Sequence, residues 1–87
     1  MKFEWDPKKA RANFHKHGVS FADAISVLFD ELAITIEDID HDEQRFVTLG
    51  TDAFGRILIV VYSYREDRIR LISARKATPN EREQHER

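Results

Sequence analysis

The stretch from Arg56 to Tyr64 constrains the fold most, because it contains six consecutive apolar or aromatic residues, ILIVVY. A run without polar alternation is typical of a strand that is buried on both faces, so we expect it at the centre of a sheet. The loop Asp52–Gly55 before it and the pair Glu66-Asp67 after it are typical of hairpin connections. The sequence therefore predicts an antiparallel meander around this strand.

Four shorter segments complete the predicted sheet. Isoleucines alternate with polar residues in the second of them, a pattern typical of a strand with one buried face. These segments are Phe3–Trp5, Ala33–Glu37, Arg45–Gly50 and Arg68–Ala74.

The first two helices are predicted from their start and stop signals. Asp6 and Pro7 are typical of an N-cap and a first helical position, and Gly18 is typical of a left-handed stop after about His17. Ser20 is a typical N-cap of the second helix, whose apolar spacing predicts a stripe that faces the core. This stripe consists of Phe21, Ala24, Ile25, Leu28 and Phe29.

A third helix is predicted at the C-terminal end of the chain. Thr78, Pro79 and Glu81 are typical of an N-cap, a first helical position and the third residue of a capping box. This helix runs to about His85 and has almost no apolar residue, so it is either exposed or completed by another molecule. The element order β-α-α-β-β-β-β-α predicts one α+β domain, residues 1–87, with two helices on one face of an antiparallel sheet.

Composition excludes several classes of protein. The chain of 87 residues has no cysteine, so disulfides and thiolate metal sites are excluded. It shows no apolar run of the kind that a signal peptide or a membrane-spanning helix needs, and we expect a cytoplasmic protein without membrane contact. A net charge of −2 argues against a simple nucleic-acid coat.

The charge is nevertheless distributed unevenly along the chain. Residues 1–55 contain six Lys/Arg and eleven Asp/Glu, a net charge of −5, whereas residues 56–87 contain eight and five, a net charge of +3. Five of the carboxylates lie between Glu37 and Glu43. Such polarity can steer an anionic ligand to one end of the molecule or dock a partner of opposite charge.

Cations cluster on and just beyond the last strand, at Arg68, Arg70, Arg75 and Lys76. Arginine binds phosphate through bidentate hydrogen bonds, so the cluster is a candidate phosphate site. Strict alternation places Arg70 and Arg75 on opposite faces, and a shared site therefore requires a bulge or a strand end near Ala74. The alternative interpretation is that these arginines solvate the sheet or pair with acidic residues.

Histidines and tyrosines provide further candidates. His41 lies among carboxylates, which raise the pKa of an imidazole, so it is either an acid–base group or a solvated loop residue. Tyr64 is a candidate for stacking on an RNA base, whereas core packing is the default for Tyr62. The acidic residues around His41 match no metal-ligand motif that we recognise, and a divalent-ion loop stays a minor alternative.

Three stretches, FEWDPKKARANFHKHGVSF, RFVTLGTDAFGRILIVVYSYR and RIRLISARKATPNE, closely resemble the BrnT family of bacterial toxins. The resemblance extends from Phe3 to about Arg82. It implies a RelE-like fold and a ribonuclease that inhibits translation by cutting RNA without a metal or other cofactor. It also implies a BrnA-like antitoxin of the ribbon-helix-helix type, through which the complex binds operator DNA and represses its own operon.

The resemblance also implies roles for individual residues. Arg65, Arg70 and Arg75 are expected to bind and stabilise the phosphate, with His41 or Glu81 as the proton-transfer group. The residues expected to contact RNA are Arg45, Lys76, Arg82 and Tyr64. The leading hypothesis is thus a metal-independent endoribonuclease toxin that a cognate antitoxin neutralises. The alternative is a toxin-like module without catalysis, which docks an antitoxin-like partner or nucleic acid.

Overall fold

A computed structural model describes residues 1–39 and 43–86 of the chain. The strands are β1 (Lys2–Glu4), β2 (Ile34–Asp38), β3 (Arg45–Thr51), β4 (Ile57–Arg65) and β5 (Arg68–Lys76). The α-helices are α1 (Pro7–His17), α2 (Phe21–Ala24) and α3 (Pro79–Glu86), and a 3₁₀ helix, Ile25–Phe29, follows α2 directly. Within the described residues, no helix has the length and apolar character needed to cross a membrane.

The strands form one sheet in the order β1-β5-β4-β3-β2. The antiparallel meander of β2, β3, β4 and β5 is confirmed, and the apolar strand β4 lies at its centre. The expectation of a wholly antiparallel sheet is wrong in one detail, because β1 pairs with β5 in parallel. The chain passes through α1 and α2 after β1, so no hairpin forces β1 to run antiparallel to its neighbour.

The predicted signals at the two ends of α1 are confirmed. The Asp6 carboxylate accepts a hydrogen bond from the Lys8 N–H at 2.9 Å, which satisfies one of the free amides at the helix start. Gly18 adopts a left-handed conformation with φ of 71°, and its N–H donates to the Phe14 carbonyl at 2.7 Å. These caps fix the length of α1 and hence the point where the chain turns into α2.

The second helix differs from its prediction. Ser20 caps it as expected, by accepting a hydrogen bond from the Asp23 N–H at 3.0 Å. The helix then tightens from α to 3₁₀ geometry, which has three residues per turn instead of 3.6. The tighter winding rotates the buried face, so Val27 is fully buried and Phe29 is 71% exposed. The predicted apolar stripe is therefore correct at Phe21 and wrong at Phe29.

The hydrophobic core lies between the helices and one face of the sheet. Each large apolar side chain buried there stabilises the fold by roughly 1.5–3 kcal/mol. The core cluster consists of Val19, Phe21, Ala24, Val27, Leu58, Val60, Tyr62, Ile69, Leu71 and Ala74. Tyr62 packs in this core as predicted, and its hydroxyl lies 2.8 Å from that of Thr48. We call this face of the sheet the core face.

The second face of the sheet is only partly covered. The α3 helix contacts β3 there, and it contributes no buried residue. Its end is held by His85, whose Nε2 lies 3.0 Å from the Asp30 carboxylate. Beside it, Ile34 and Ile36 of the edge strand β2 are 44% and 61% exposed. This face, which we call the open face, is where polar groups can approach the sheet.

Candidate functional site

The pairing of β4 with β5 contains a register shift. Val61 pairs with Ser73, whereas the next residue of β4, Tyr62, pairs with Leu71. Ile72 is therefore the extra residue of a β-bulge, in which two residues of one strand lie opposite one residue of the other. Such an insertion reverses the alternation of side chains along the bulged strand.

The bulge brings the two arginines of interest onto the same face of β5. Leu71 and Ala74 both belong to the core cluster, although strict alternation assigns residues three apart to opposite faces. Arg70, before the bulge, and Ser73 and Arg75, after it, consequently project to the open face. From the sequence, Arg70 and Arg75 could share a face only if β5 had a bulge or ended near Ala74. The bulge at Ile72 meets this requirement.

A row of three side chains crosses the sheet at the end of the open face. Ser63 of β4 pairs with Arg70 of β5. On its other side, Phe46 pairs with Tyr62, so the preceding residue of β3, Arg45, lies beside Ser63. Neighbouring strands are about 4.8 Å apart, so a short serine side chain separates two long cations. Ser63 therefore lies between the two arginines on the open face.

Arg65 extends this group, because it follows Ser63 by two residues on β4 and shares its face. We call Arg45, Arg65 and Arg70 around Ser63 the arginine cluster. Ser63 has no exposed surface. Among the described residues, two buried side-chain atoms, Ser63 Oγ and Arg45 Nε, have no hydrogen-bond partner. A buried polar atom without a partner is costly, so a ligand that supplied a hydrogen bond to either atom would relieve this cost.

A carboxylate lies at the edge of the arginine cluster. The Ser63 hydroxyl and then the guanidinium groups of Arg45, Arg70 and Arg65 lower the pKa of Glu43, outweighing the opposite effect of desolvation. The hydroxyl acts here as a nearby dipole, since its geometry falls short of a full hydrogen bond. Glu43 is exposed and precedes β3 by two residues. The cluster therefore favours an anion over a neutral group.

Arg75 and Glu81 form a separate ion pair on the open face. The two terminal guanidinium nitrogens of Arg75, Nη1 and Nη2, donate to the carboxylate oxygens Oε1 and Oε2 of Glu81 at 2.8 and 3.0 Å. Glu81 also accepts from the Thr78 N–H at 2.8 Å, and the Glu81 N–H donates to the Thr78 hydroxyl at 3.2 Å. This is the predicted capping box, and the ion pair joins the start of α3 to β5.

The ion pair determines the charge state of Glu81. Hydrogen bonds from Arg75 lower the pKa of Glu81 to about 2, and the same contact raises the pKa of Arg75. A proton acceptor works best when its pKa lies near the operating pH. In this arrangement Glu81 serves the attachment of α3 better than it serves proton transfer.

The predicted phosphate-binding arginines fall into two places along the strand. Arg70 pairs with Ser63 and Arg75 pairs with Ile59, four residues further along β4. At roughly 3.4 Å per residue, about 14 Å along the strand separates the two arginines. Arg65 and Arg70 are therefore brought together with Arg45, whereas Arg75 lies apart from them.

The remaining predicted residues lie elsewhere. Lys76 and Arg82 line a groove of about 440 Å³ together with Arg56, at the opposite end of the sheet from the arginine cluster. Tyr64 lies on the core face, with its ring centroid 5.1 Å from that of Phe46. His41 lies outside the described residues, so its predicted role stays a prediction.

Neither Ser63 nor Glu43 was among the residues predicted from the sequence. Ser63 is the one small polar residue inside the otherwise apolar and aromatic stretch from Ile57 to Tyr64, and this contrast was an available signal. Glu43 gave a weaker signal, because it lies in an acidic stretch whose members are equivalent in the sequence alone. Among residues 1–39 and 43–86, no three His, Asp or Glu side chains are grouped to bind a metal ion.

The fold and the arginine cluster define a class of protein: a small α+β domain with a group of arginines on one face of its sheet. The chain belongs to the family described as "Ribonuclease toxin, BrnT, of type II toxin-antitoxin system", whose family model matches residues 5–81. The resemblance noted from the sequence is thereby confirmed. The family also implies a protein antitoxin as partner.

A solved structure supports the same assignment. The crystal structure of the Brucella abortus ribonuclease toxin BrnT superimposes with a TM-score of 0.67 and 26% sequence identity. The match covers 90% of this chain and 97% of the Brucella chain. No curated protein sequence matches the chain.

Proposed function

We propose that the protein is a metal-independent endoribonuclease toxin that inhibits translation by cleaving RNA. The observation that carries the proposal is the row of Arg45, Ser63 and Arg70 on neighbouring strands, in which Arg45 Nε and Ser63 Oγ are buried without a hydrogen-bond partner among the described residues. A phosphodiester offers the oxygen acceptors that these donors lack, and its negative charge suits the surrounding guanidinium groups.

The chemistry is cleavage by attack of the 2′-oxygen on the adjacent phosphorus. Negative charge grows on the non-bridging oxygens as the phosphorane forms, so fixed cations stabilise the transition state more than the bound substrate. We assign this role to Arg45, Arg65 and Arg70. We assign Arg75 and Glu81 to the attachment of α3 because they neutralise each other. His41 stays a candidate for proton transfer.

RNA cleavage by the purified protein in EDTA tests the proposal. We expect Arg70→Ala to reduce the cleavage rate about 10²–10³-fold, the usual cost of removing one transition-state donor. Arg11→Ala is the matched control, since Arg11 is an exposed arginine of α1 on the other side of the sheet. Unchanged cleavage by Arg70→Ala would contradict the site, and loss of cleavage in EDTA would instead favour a metal-dependent nuclease.

The proposed partner is a BrnA-like antitoxin of the ribbon-helix-helix type, which neutralises the toxin and binds operator DNA as part of the complex. A second candidate function, a module that binds the antitoxin without catalysis, is favoured by the exposed Ile34 and Ile36 on the edge strand. Expression of the chain without any antitoxin gene separates the two. Growth arrest with RNA decay supports the enzyme, and normal growth with tight antitoxin binding supports the module.

A further inference from the structure

We propose that Lys2, Arg65 and Arg68 bind the phosphate next to the one that is cleaved, so that single-stranded RNA runs along β4 and β5 on the open face. The inference rests on the proposed function and adds to it the path of the substrate. We call these three residues the cation row. Arg65 also belongs to the arginine cluster, so Lys2 and Arg68 are the cations that the cluster does not include.

The cation row follows from the strand register at the end of the sheet. Arg65 of β4 pairs with Arg68 of β5 across the turn between the two strands. On the other side of β5, Lys2 of β1 pairs with Arg68 in parallel. Phe3 and Ile69 contact the hydrophobic core, so their neighbours Lys2 and Arg68 project to the open face. Three adjacent strands thus place three exposed cations side by side.

The next row of side chains across the sheet has no net positive charge. We call it the serine row, and it consists of Asp38, Arg45, Ser63, Arg70 and Glu4. Two carboxylates at its ends balance its two arginines and give a formal charge of zero, whereas the cation row has a formal charge of +3. The attraction of RNA phosphates to this end of the sheet therefore comes mainly from the cation row.

The cation row also contains a repulsive contact. Like charges directly opposite each other on neighbouring strands destabilise a sheet, and Arg65 lies directly opposite Arg68. The ion pairs between described residues include no member of the cation row. The nearest acidic residues along the chain, Glu66 and Asp67, are exposed in the turn beyond the β4–β5 ladder. An anion bound between the two guanidinium groups would remove the repulsion between them.

The spacing of the two rows suits two consecutive phosphates. Ser63 and Arg65 are two residues apart on β4, so the rows are roughly 7 Å apart along the strands. The sugar–phosphate backbone spans a distance of this order between one phosphate and the next. A scissile phosphate at Ser63 and Arg70 therefore places its neighbour between Arg65 and Arg68.

The other directions away from Ser63 are less favourable for RNA. Across the strands, the serine row ends on one side at Asp38 and on the other at Glu4, and both carboxylates repel a phosphate. Along the strands and away from the cation row, the next row consists of Ile36, Val47, Val61 and Ser73. The direction towards the cation row is thus the one in which positive charge continues.

The neighbouring phosphate does not react, so its charge is the same in the bound substrate and in the transition state. Contacts to such a group lower KM and leave kcat unchanged. The cation row therefore contributes to substrate binding, whereas the arginine cluster contributes to the chemical step.

Three short oligonucleotides, each with one ribose among deoxyriboses so that a single bond can be cleaved, test this path. The dinucleotide contains the scissile phosphate alone, and two trinucleotides add a second phosphate on its 3′ or its 5′ side. Each position carries all four bases, so that base preference does not affect the comparison. We expect the unchanged protein to cleave one trinucleotide with a kcat/KM about 5–10-fold above that of the dinucleotide, the effect of one exposed charge-assisted contact. The favoured trinucleotide gives the direction of the RNA.

Arg68→Gln should remove this preference. We expect its KM for the favoured trinucleotide to rise about 5–10-fold with kcat unchanged, and its cleavage of the dinucleotide to change much less. Arg68→Lys keeps the charge and should recover part of the loss. The slope of log KM against log salt for the trinucleotide should decrease by about 0.7 in Arg68→Gln, since one contact to a single-stranded phosphate is lost. Arg11→Gln, an exposed arginine of α1, is the matched control and should cleave both substrates as the unchanged protein does.

Thermal melting separates this binding role from a structural one. A structural role predicts a lower melting temperature for Arg68→Gln and an equal loss of activity on all three substrates. The binding role predicts a melting temperature at least as high as that of the unchanged protein, because the repulsion of Arg65 is relieved. Binding of the 2′-O-methyl forms of the oligonucleotides, which cannot be cleaved, gives the same comparison without catalysis.

Two results would overturn the inference and leave the proposed function standing. One is that the unchanged protein cleaves RNA but does not distinguish the trinucleotides from the dinucleotide in either cleavage or binding. The other is that Arg68→Gln loses the same factor on every substrate. Absence of RNA cleavage by the unchanged protein overturns the proposed function, and the inference with it.

Discussion

Asn13 connects α1 to the strand that carries the bulge, and its replacement by alanine is the most informative test of the fold. Its side chain is buried between α1 and β5. The amide nitrogen donates to the carbonyls of Val19 at 3.1 Å and Ala74 at 2.8 Å. The amide oxygen accepts from the Ala74 N–H at 3.1 Å. Asn13 thus provides hydrogen-bond partners for the N–H and carbonyl of Ala74 at the edge of β5, just beyond the bulge. The strand β1 pairs with β5 only as far as Arg70 and does not reach this point.

The magnitude follows from these three hydrogen bonds. Alanine leaves the N–H and carbonyl of Ala74 and the carbonyl of Val19 buried without their partner. At about 1 kcal/mol for each group, the free energy of unfolding falls by about 3 kcal/mol. A domain of this size is stable by only about 4–13 kcal/mol, so the loss is a large share of the total.

Urea unfolding monitored by Trp5 fluorescence measures the effect. Asn80→Ala is the matched control, because Asn80 is exposed in the first turn of α3. We expect a change below about 0.5 kcal/mol in the control. A loss below 1 kcal/mol in Asn13→Ala would refute the reasoning, since it would show that water or another group satisfies the edge of β5.

Two further predictions concern the framework around the site. Gly50→Ala should lower stability by about 1–2 kcal/mol in urea unfolding, because a Cβ atom there would lie 3.0 Å from Val27 and 3.1 Å from Ala33; an unchanged midpoint would contradict the close approach. Glu81 has a folded-state pKa of about 2 against an ordinary 4.5, so its ion pair with Arg75 stabilises the fold above pH 4.5 and is lost as the pH falls towards 2. The shift alone corresponds to about 3 kcal/mol, which solvent around the partly exposed Arg75 reduces to about 1 kcal/mol. Thermal melts of Glu81→Gln should show this loss at pH 7 and a smaller one at pH 3, and an equal loss at both would exclude the ion pair as its cause.

Signals that act within a few residues were readable from the sequence. The caps at Asp6, Gly18 and Ser20 and the capping box of Thr78 and Glu81 occur as expected. Each depends on a side chain or backbone conformation that satisfies an amide or carbonyl close by in the chain. The central position of β4 was also readable, because its run of six consecutive apolar or aromatic residues, Ile57–Tyr62, is typical of a strand with neighbours on both sides.

The geometry of the arginine cluster was readable only in part. Alternation predicted that Arg70 leaves the core face, but it assigned Arg75 to the other side. The bulge at Ile72 depends on how β5 aligns with β4, and on Asn13, which binds Ala74 from another element. Such long-range contacts leave no local pattern. The same holds for Ser63 and Glu43, whose importance comes from neighbours on other strands.

The sequence by itself determined the kinds of elements, their order and the family to which the chain belongs. Helix caps, turns and apolar periodicity act locally, and the family motifs extend over nearly the whole chain. Only the tertiary structure decided which cations lie together on the open face. It separates Arg75, which Glu81 neutralises, from Arg45, Arg65 and Arg70 around Ser63. The physical reason is that strand register and the bulge set which side chains face each other, and both depend on contacts between residues far apart in the sequence.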